Sequence, residues 1–272
     1  MPEIAEVRVV ADVLKKNILK KKIKSVEILY PNIIDGDIDY FKGTLNDLMF
    51  QNITTYGKWI IFDLGKYSLL SHLRMEGKYY YVNSNTPYEK HTHIIFHLDN
   101  DYDLRYNDVR KFGRMKLIET SDIFNDSSIK KLGKEPDDKS LTKKYLQDKF
   151  KNDKRPIKEI LLDQTVINGL GNIYANEVLF SSNINPFKRG MDLTIKEIEN
   201  IINSSERIIK RSFELGGCTI RSYTSSLGVT GHYQDELKVH MRDGKKCINC
   251  GKTIYKTKIN GRSTYYCPQC QK

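Results

Sequence analysis

Four cysteines near the C-terminus have the residue types and the spacing of a metal site. Cys247 and Cys250 form one Cys-x2-Cys pair, and Cys267 and Cys270 form a second pair after sixteen intervening residues. Four thiolates at this spacing match the tetrahedral coordination of a structural zinc ion. Disulfides would need an oxidising compartment, which nothing else in the sequence indicates. We therefore predict one structural zinc ion held by these four cysteines.

The segment between the two cysteine pairs predicts a β-hairpin. Two β-prone runs flank the dipeptide Asn260-Gly261, which favours a two-residue turn of the primed type. The fifth cysteine, Cys218, stands apart from this segment and is expected to be an ordinary reduced thiol.

The N-terminus offers a second set of residues that could do chemistry. Apolar residues recur at helical spacing over residues 4–18, and Pro2 and Glu3 suit the first turn of such a helix. Alternatively, removal of Met1 would leave a free secondary amine on Pro2. An α-amino group titrates near about 7.7–8.0, against about 10.4 for lysine, so more of it is a neutral nucleophile at cell pH. The local pattern leaves both interpretations open, and it assigns no role to Lys58 at a predicted strand start.

Composition and charge restrict the class of protein and of partner. The 272 residues are enough for two domains, and 39% hydrophobic with 29% charged residues is typical of a soluble globular chain. Without a long apolar run or a signal segment, we expect no membrane association and a cytoplasmic location. The net charge is +11, and residues 145–272 hold 21 Lys and Arg against 13 Asp and Glu. This field favours nucleic acid, with a merely basic surface as the alternative.

The first half of the chain predicts an antiparallel β-sandwich, because short strand-like runs follow one another with hairpin turns and no intervening helices. These runs are Ile23–Tyr30, Asn52–Leu64, Ser68–Leu73, His91–Leu98, Tyr102–Tyr106 and Arg114–Glu119. Two polar segments, 71–78 and 106–114, have the glycines of exposed loop tips. Met75 and Phe112 in them either wedge between DNA bases or lie buried in the sandwich core.

The second half of the chain predicts helices after a linker at 133–140. Helical spacing covers Leu141–Phe150, Ile157–Leu162, Gly171–Ser181 and Thr194–Leu215. Thr194 and Glu197 form the pattern of a capping box. The glycine-rich turn 168–174 precedes a helix, where backbone N–H groups bind a phosphate or merely form a tight turn. Residues 216–244 predict a long loop, which is commonly functional or mobile.

Together these motifs resemble the formamidopyrimidine-DNA glycosylase family, which removes oxidised purines and nicks the DNA strand. The resemblance covers essentially the whole chain. It rests on motifs that occur in order: Met1-Pro2-Glu3, Tyr56-Gly57-Lys58, His72-Leu73-Arg74-Met75-Glu76-Gly77, Asp108-Val109-Arg110-Lys111-Phe112-Gly113, Gly169-Leu170-Gly171-Asn172-Ile173-Tyr174, Gly216-Gly217 and Asn260-Gly261-Arg262 through Cys267. No single motif would be specific, but the ordered set is.

The resemblance implies an α+β fold with DNA held in a cleft. An N-terminal catalytic β-sandwich domain with a flanking helix would span 1–132, followed by the linker 133–140. A helix-two-turn-helix DNA-binding domain would span 141–244, with a lesion loop at 216–244. A zinc finger built on a β-hairpin would complete the chain at 245–272.

The resemblance also implies catalytic roles for four residues. Pro2 would attack C1′ of the damaged nucleotide and form a Schiff base. Glu3 would be the acid that opens the sugar ring. Lys58 would transfer protons at the base and in β-elimination, and Arg262 would contact the lesion phosphate and act in δ-elimination.

Residues that hold DNA and recognise the lesion are implied in the same way. The damaged nucleotide would be flipped out of the stack, and the gap would be filled by Met75, Arg110 and Phe112. The residues expected to contact the DNA backbone are His91, Lys154 and Asn172, with Lys158 and Tyr174 as weaker additions. The residues expected to recognise the everted base are Glu76, Thr219, Ile220, Arg221, Ser222 and Tyr223.

Two positions depart from the family pattern. Ala5 replaces a proline that most members have, which loosens the turn beneath Pro2 without removing a functional group. Cys218 replaces a small hydroxyl residue in the lesion loop, which affects base preference.

The sequence therefore predicts a bifunctional DNA glycosylase and abasic-site lyase for 8-oxoguanine and formamidopyrimidines. The expected partner is double-stranded DNA with oxidised bases or abasic sites. We expect the protein to be a monomer in the cytoplasm and, if the source is bacterial, to be associated with the nucleoid. Met75, Arg110 and Phe112 favour purine lesions. The alternatives are an oxidised-pyrimidine glycosylase of the endonuclease VIII type and a non-catalytic protein that binds damaged DNA.

Overall fold

The computed structural model describes residues 1–218 and 230–272. The chain divides into two units, and the mixed α+β character predicted from the sequence is confirmed. The first unit holds Met1–Lys130 and the described part of 216–231, and the second holds Lys131–Leu215 and His232–Lys272. Within the described ranges, no helix is both long and apolar enough to cross a membrane.

The first unit contains two four-stranded antiparallel sheets. In chain order its elements are α1 (Ile4–Ile18), β1 (Ile23–Ile28), α2 (Ile38–Leu45), β2 (Asn52–Tyr56), β3 (Trp59–Asp63), β4 (Tyr67–His72), β5 (Lys78–Asn83), β6 (Thr92–Leu98), β7 (Tyr102–Asn107) and β8 (Arg114–Glu119). One sheet has the order β1-β6-β7-β5 and the other β2-β3-β4-β8. Aromatic residues join the sheets, since the rings of Phe62 and Tyr79 lie 5.6 Å apart. This is the predicted sandwich.

Helix α1 covers this sandwich because its apolar face recurs at helical spacing. Val7, Leu14 and Ile18 are each at most 1% exposed, and they belong to the same apolar core as Phe62 and Tyr79. Helix α1 packs against β2 and β3. The core therefore fixes this helix relative to the two strands on either side of Lys58.

Three features of the first unit differ from the prediction. The run 52–64 is two strands, because Gly57 adopts a positive φ of 57° and reverses the chain between Tyr56 and Trp59, which pair with each other. Strand β5 was not predicted. Helix α2 was not predicted either, and it interrupts a region in which no helix was expected; Asp37 caps it by accepting the N–H of Tyr40 at 2.6 Å.

The second unit is helical and ends in a hairpin. Its elements are α3 (Lys143–Phe150), α4 (Ile157–Leu162), α5 (Asn172–Ser181), α6 (Ile195–Glu214), β9 (Tyr255–Ile259) and β10 (Arg262–Tyr266). The predicted capping box of Thr194 and Glu197 is present at the start of α6. Asn260 and Gly261 have φ of 44° and 72°, as a primed turn requires, so the predicted hairpin is confirmed.

His72, at the end of β4, is a buried neutral histidine. Its ring lies edge-on to Trp59, with centroids 4.8 Å apart, and its Nδ1 accepts the backbone N–H of Arg74 at 3.0 Å. Burial first, and then the charges of Arg74 and Lys58, lower the pKa of His72 to about 3. The imidazole is therefore neutral in the folded protein at every pH near neutrality.

This depressed pKa makes folding sensitive to acid. An unfolded histidine titrates near about 6.5, so below that pH the unfolded chain binds a proton that the folded chain does not. Stability is then lost as the pH falls from about 6.5 towards 3, and between pH 7 and 5 the loss from His72 is about 2 kcal/mol. His72→Asn keeps an acceptor for Arg74 but cannot titrate. Between pH 7 and 5 the variant should therefore lose about 2 kcal/mol less free energy of unfolding than the wild type. Urea unfolding followed by the fluorescence of Trp59, the single tryptophan, measures the difference; equal losses in both proteins would refute it.

Candidate functional site

The N-terminal residues Pro2 and Glu3 are buried at the start of α1, and the carboxylate of Glu6 organises this end of the helix. Glu6 Oε2 accepts the backbone N–H of Glu3 at 2.8 Å, and Glu6 Oε1 accepts the backbone N–H of Cys218 at 2.8 Å. Gly217 has a φ of +81°, and a Cβ there would lie 2.9 Å from Glu6 Oε1. The same carboxylate thus contacts Glu3 and the first residues of the predicted lesion loop.

Lys58 is buried, which the sequence did not indicate. It follows Gly57 in the two-residue turn between β2 and β3, and only 6% of it is exposed. Lysine is almost never this buried without a specific reason, because its ammonium group must lose water. The local sequence pattern, which assigned Lys58 no role, did not record this burial. The structure places Lys58 in the same unit as Pro2 and Glu3.

Two loop tips in the first unit are brought together by one tyrosine. The loops are 73–77, between β4 and β5, and 108–113, between β7 and β8. A Cβ on Gly77 would lie 2.2 Å from the hydroxyl oxygen of Tyr106, and a Cβ on Gly113 would lie 1.7 Å from it. Only glycine fits at either position, so both loops close on the same hydroxyl group. They carry Met75 and Phe112.

The carboxylate of Asp108 holds the second loop. It accepts the backbone N–H groups of Arg110 at 3.0 Å, Phe112 at 2.9 Å and Gly113 at 2.8 Å. Lys111 adopts a left-handed φ of 58°, a conformation that costs energy and is found at functional loops. The loop therefore has a defined shape although it lacks regular secondary structure.

The side chains that these loops present are accessible. Phe112 is 49% exposed and Met75 is half-buried, so the hypothesis that Phe112 belongs to the sandwich core is wrong. The Arg110 guanidinium lies 4.7 Å from the centre of the Phe112 ring. An exposed aromatic ring beside an arginine can stack on a base.

Glu76 and His91 line one cavity of about 240 Å³ in the first unit, together with Lys78, Glu89 and Asp108. The carbonyl of His91 accepts the backbone N–H of Asp108 at 3.1 Å. The structure therefore brings together one residue expected to recognise the base, Glu76, and one expected to contact the backbone, His91.

The four cysteines of the second unit form a metal site. Their sulfur atoms all lie within 4.8 Å of one another, with Cys247 3.8 Å from Cys270 and Cys250 3.4 Å from Cys267. A tetrahedral zinc ion with Zn–S bonds of about 2.3 Å needs sulfur atoms about 3.8 Å apart. The donor set and its spacing fit zinc.

Arg262 lies at the exposed start of β10, directly after the hairpin turn. It lines a cavity of about 270 Å³ with Arg155, Glu159 and Asp163. In the same unit Asn172 begins α5 and donates from Nδ2 to the carbonyl of Ser263 at 3.0 Å. Asn172 is therefore adjacent in space to the residue that follows Arg262.

Not every predicted contact residue has an accessible side chain. Lys154 is exposed, as a phosphate contact requires. Lys158 and Tyr174 are both 0% exposed; Lys158 donates to Asn176, and the Tyr174 hydroxyl lies 2.6 Å from Ser212 Oγ. The prediction that these two side chains contact DNA is therefore corrected, because helix packing encloses them. The lesion-recognition candidates Thr219, Ile220, Arg221, Ser222 and Tyr223 lie outside the described residues.

Sequence reasoning assigned no role to several residues that shape these sites, namely Glu6, Tyr106, Asp108 and Asn176. For Asp108 a signal existed, since an aspartate before an irregular, glycine-containing segment commonly accepts backbone N–H groups two or more residues later. Tyr106, Asn176 and the bond from Glu6 to Cys218 depend on contacts between segments that are distant in the chain.

Comparison with known proteins gives the same assignment along the whole chain. Residues 1–115 match the formamidopyrimidine-DNA glycosylase N-terminal domain, residues 132–224 match the H2TH domain of these enzymes, and residues 244–272 match the zinc finger found in FPG and IleRS. The chain is 39% identical over 273 residues to the formamidopyrimidine-DNA glycosylase of Oceanobacillus iheyensis, with 100% of this chain and 98% of the relative covered.

Solved structures show the same relationship. A mutant FPG of Lactococcus lactis, in complex with DNA that contains Fapy-dG, has a TM-score of 0.94, 39% identity and 99% coverage of both chains. Lactococcus lactis Fpg with abasic-site DNA has a TM-score of 0.93, 39% identity and the same coverage. These matches over the whole length of the chain show that it belongs to the formamidopyrimidine-DNA glycosylase family.

Proposed function

We propose that this protein is a bifunctional DNA glycosylase and abasic-site lyase of base excision repair. It excises 8-oxoguanine and formamidopyrimidines through a Schiff base on Pro2 and cleaves the strand by β,δ-elimination. The observation that carries the proposal is the buried N-terminus of α1, where Glu6 fixes Glu3 beside Pro2, in a unit that also buries Lys58. The glycosylases to which the chain is similar, and their complexes with Fapy-dG and abasic-site DNA, support the same chemistry.

The reaction needs a nucleophile, an acid and a proton carrier. After Met1 is removed, the Pro2 nitrogen attacks C1′ of the flipped nucleotide, and the base leaves with the electron pair of the C1′–N bond. Glu3 donates the proton that opens the sugar ring. Lys58 moves protons at the departing base and in β-elimination. Arg262 binds the lesion phosphate and promotes its departure in δ-elimination.

Other residues hold the DNA in the distorted form that this chemistry requires. Met75, Arg110 and Phe112 fill the space left by the flipped nucleotide, which stabilises the unstacked duplex. Lys154, Asn172 and His91 bind backbone phosphates, and Glu76 contacts the everted base. The basic surplus in residues 145–272 adds a favourable interaction with any duplex.

The proposed setting follows from the substrate. The enzyme acts as a monomer on double-stranded DNA, in the cytoplasm and, in a bacterium, at the nucleoid. Free thiolates that bind zinc are retained in a reducing compartment, which agrees with this location.

A covalent complex with damaged DNA should form when the reaction is run with sodium borohydride. Borohydride reduces the iminium between Pro2 and C1′, and the product is resolved by denaturing gel electrophoresis and mass spectrometry. We expect more trapping and excision with 8-oxoguanine opposite cytosine than with thymine glycol. Faster release of thymine glycol would favour the oxidised-pyrimidine alternative. Binding without trapping, by protein whose Met1 is shown to be removed, would favour the non-catalytic alternative.

Two lysines provide a matched control for this assay. Lys58 and Lys66 each follow a glycine in the turn of a β-hairpin, but the Lys66 side chain is 70% exposed and lies 3.8 Å from Glu119. Lys58→Ala should lower base excision by about 10²-fold or more, the usual contribution of a general acid or base. Lys66→Ala should react as the wild type does.

Removal of the Asp108 carboxylate should weaken DNA binding more than it affects chemistry. Asp108→Ala leaves three backbone N–H groups of the loop without their acceptor, so Arg110 and Phe112 lose their fixed presentation. We expect affinity for a duplex with an abasic-site analogue to fall by about tenfold, the equivalent of about 1.4 kcal/mol. Fluorescence anisotropy measures this loss. Asp138→Ala is the control, because Asp138 accepts the N–H of Ser140 in the linker at 2.7 Å; an equal loss in both variants would contradict the role of the loop.

Loss of zinc should abolish DNA binding and strand cleavage before it unfolds the first unit. The metal holds the finger that carries Arg262, whereas the sandwich has its own apolar core. Chelation followed by metal analysis, cleavage assays and the fluorescence of Trp59 separates the two effects, and added zinc should restore activity. Normal binding and cleavage by protein shown to be metal-free would disprove this coupling.

A further inference from the structure

Asn176 is a buried amide whose hydrogen bonds join three parts of the second unit. It lies in α5, one turn after Asn172, and is 1% exposed. Its Oδ1 accepts from Lys158 Nζ in α4 and from the backbone N–H of Tyr265 in β10, the latter at 3.3 Å. Its Nδ2 donates to the carbonyl of Asn172 and to His240 Nδ1, both at 2.8 Å. Both Oδ1 contacts and both Nδ2 donors are therefore used.

The buried charge of Lys158 fixes the orientation of this amide. The ammonium group is a donor only, so Oδ1 must face Lys158 and Nδ2 must face His240. His240 Nδ1 is then an acceptor, which requires a neutral ring. Burial first, and then the charge of Lys158, lower the pKa of His240 to about 4, in agreement with a neutral ring.

His240 is itself held in place by α5 and contacts the hairpin. The carboxylate of Glu177 accepts the backbone N–H groups of Lys238, Val239 and His240 at 2.8 to 3.0 Å. The ring of His240 lies edge-on to that of Tyr265, with centroids 5.0 Å apart. The segment before the zinc finger and strand β10 are therefore both tied to one helix.

A second hydrogen bond fixes the register of β10 relative to α5. Asn172 donates to the carbonyl of Ser263, and Asn176 accepts from the N–H of Tyr265. Four residues of helix rise about 6 Å and two residues of strand about 6.6 Å. One turn of α5 thus matches two residues of β10, and a shift of the strand by one residue would break both hydrogen bonds.

These contacts lie along β10 between the zinc site and the tip of the hairpin. Cys267 follows the C-terminal end of β10, whereas Arg262 begins the strand, five residues away. At about 3.3 Å per residue the distance along the chain is about 17 Å, so the metal fixes the base of the hairpin and not its tip. Asn172 contacts Ser263, directly after Arg262, and Asn176 contacts Tyr265, two residues before Cys267.

We propose that Asn176 is a positioning residue for Arg262, because it sets the register and placement of β10 through Tyr265. Its effect on catalysis rests on the proposed function of Arg262, but its effect on the hairpin does not. The tests are therefore a physical measurement on the free protein and a product analysis.

The physical measurement is hydrogen exchange of the hairpin, followed by mass spectrometry of peptides that cover residues 255–266. Asn176→Leu removes every polar contact of the amide, and we expect exchange in these peptides to be about tenfold faster, with one zinc per chain retained. Asn176→Asp keeps the acceptor for Lys158 and Tyr265 but loses both donors, so its exchange should lie between that of the wild type and that of Asn176→Leu. It also keeps a partner for the buried ammonium group, so it stays informative if Asn176→Leu does not fold. Ser212→Ala is the control, because it removes a buried hydrogen bond to Tyr174 in the same unit without touching the hairpin.

The product analysis uses DNA with a preformed abasic site. If Arg262 is displaced, the ratio of δ- to β-elimination products should fall about fivefold in Asn176→Leu, fall less in Asn176→Asp and stay unchanged in Ser212→Ala, while borohydride trapping through Pro2 persists. Wild-type exchange in the hairpin of a folded Asn176→Leu would overturn the proposal, as would an exchange increase spread evenly over the second unit. If Asn176→Leu does not fold, hairpin exchange in Asn176→Asp as fast as in a chelated protein would overturn it. Failure of trapping in the wild type would instead refute the proposed function and leave the exchange result standing.

Discussion

The irregular segments of this structure depend on one constraint. Their backbone N–H groups must be accepted by buried side chains, because no strand or helix supplies the acceptors. A buried N–H without a partner is costly, so a loop can be fixed only where something satisfies its donors. Asp108 does this for the loop that carries Arg110 and Phe112. Glu177 does it for residues 238–240. Each carboxylate accepts the backbone hydrogen bonds that a neighbouring strand or a helical turn would otherwise accept.

The same device explains how the N-terminus can be both a helix start and a reactive group. Glu6 satisfies the N–H of Glu3 from inside the first turn of α1, so the preceding Pro2 needs no capping contact of its own. Its other oxygen holds Cys218, and Gly217 must lack a Cβ for this approach. Met1-Pro2-Glu3 can therefore begin a helix and still supply the proposed nucleophile, because the N–H of Glu3 is satisfied by Glu6 and needs nothing from Pro2.

Features set by neighbours in the chain could be predicted from the sequence, and features set by distant contacts could not. The Asn260-Gly261 turn, the Thr194 capping box and the cysteine spacing are local, and all three are present in the structure. The bond from Cys218 to Glu6 spans 212 residues, and no periodic pattern records it. The burial of Lys58, Lys158 and Tyr174 depends on which elements pack together. The family resemblance therefore assigned roles to these residues but could not show that Lys158 and Tyr174 are enclosed.

The hairpin of the second unit shows why a metal alone does not fix the position of Arg262, the side chain proposed to act in δ-elimination. Zinc restrains the residues near its ligands, and a two-stranded hairpin is marginally stable and twists readily in isolation. A tip several residues from the ligands would therefore sample a range of positions unless another element touched it. Helix α5 provides that element through Asn172 and Asn176, whose spacing of one helical turn matches that of Ser263 and Tyr265. Arg262 can then be exposed and still have a defined position, since Ser263 and Tyr265 are held by the amides of Asn172 and Asn176.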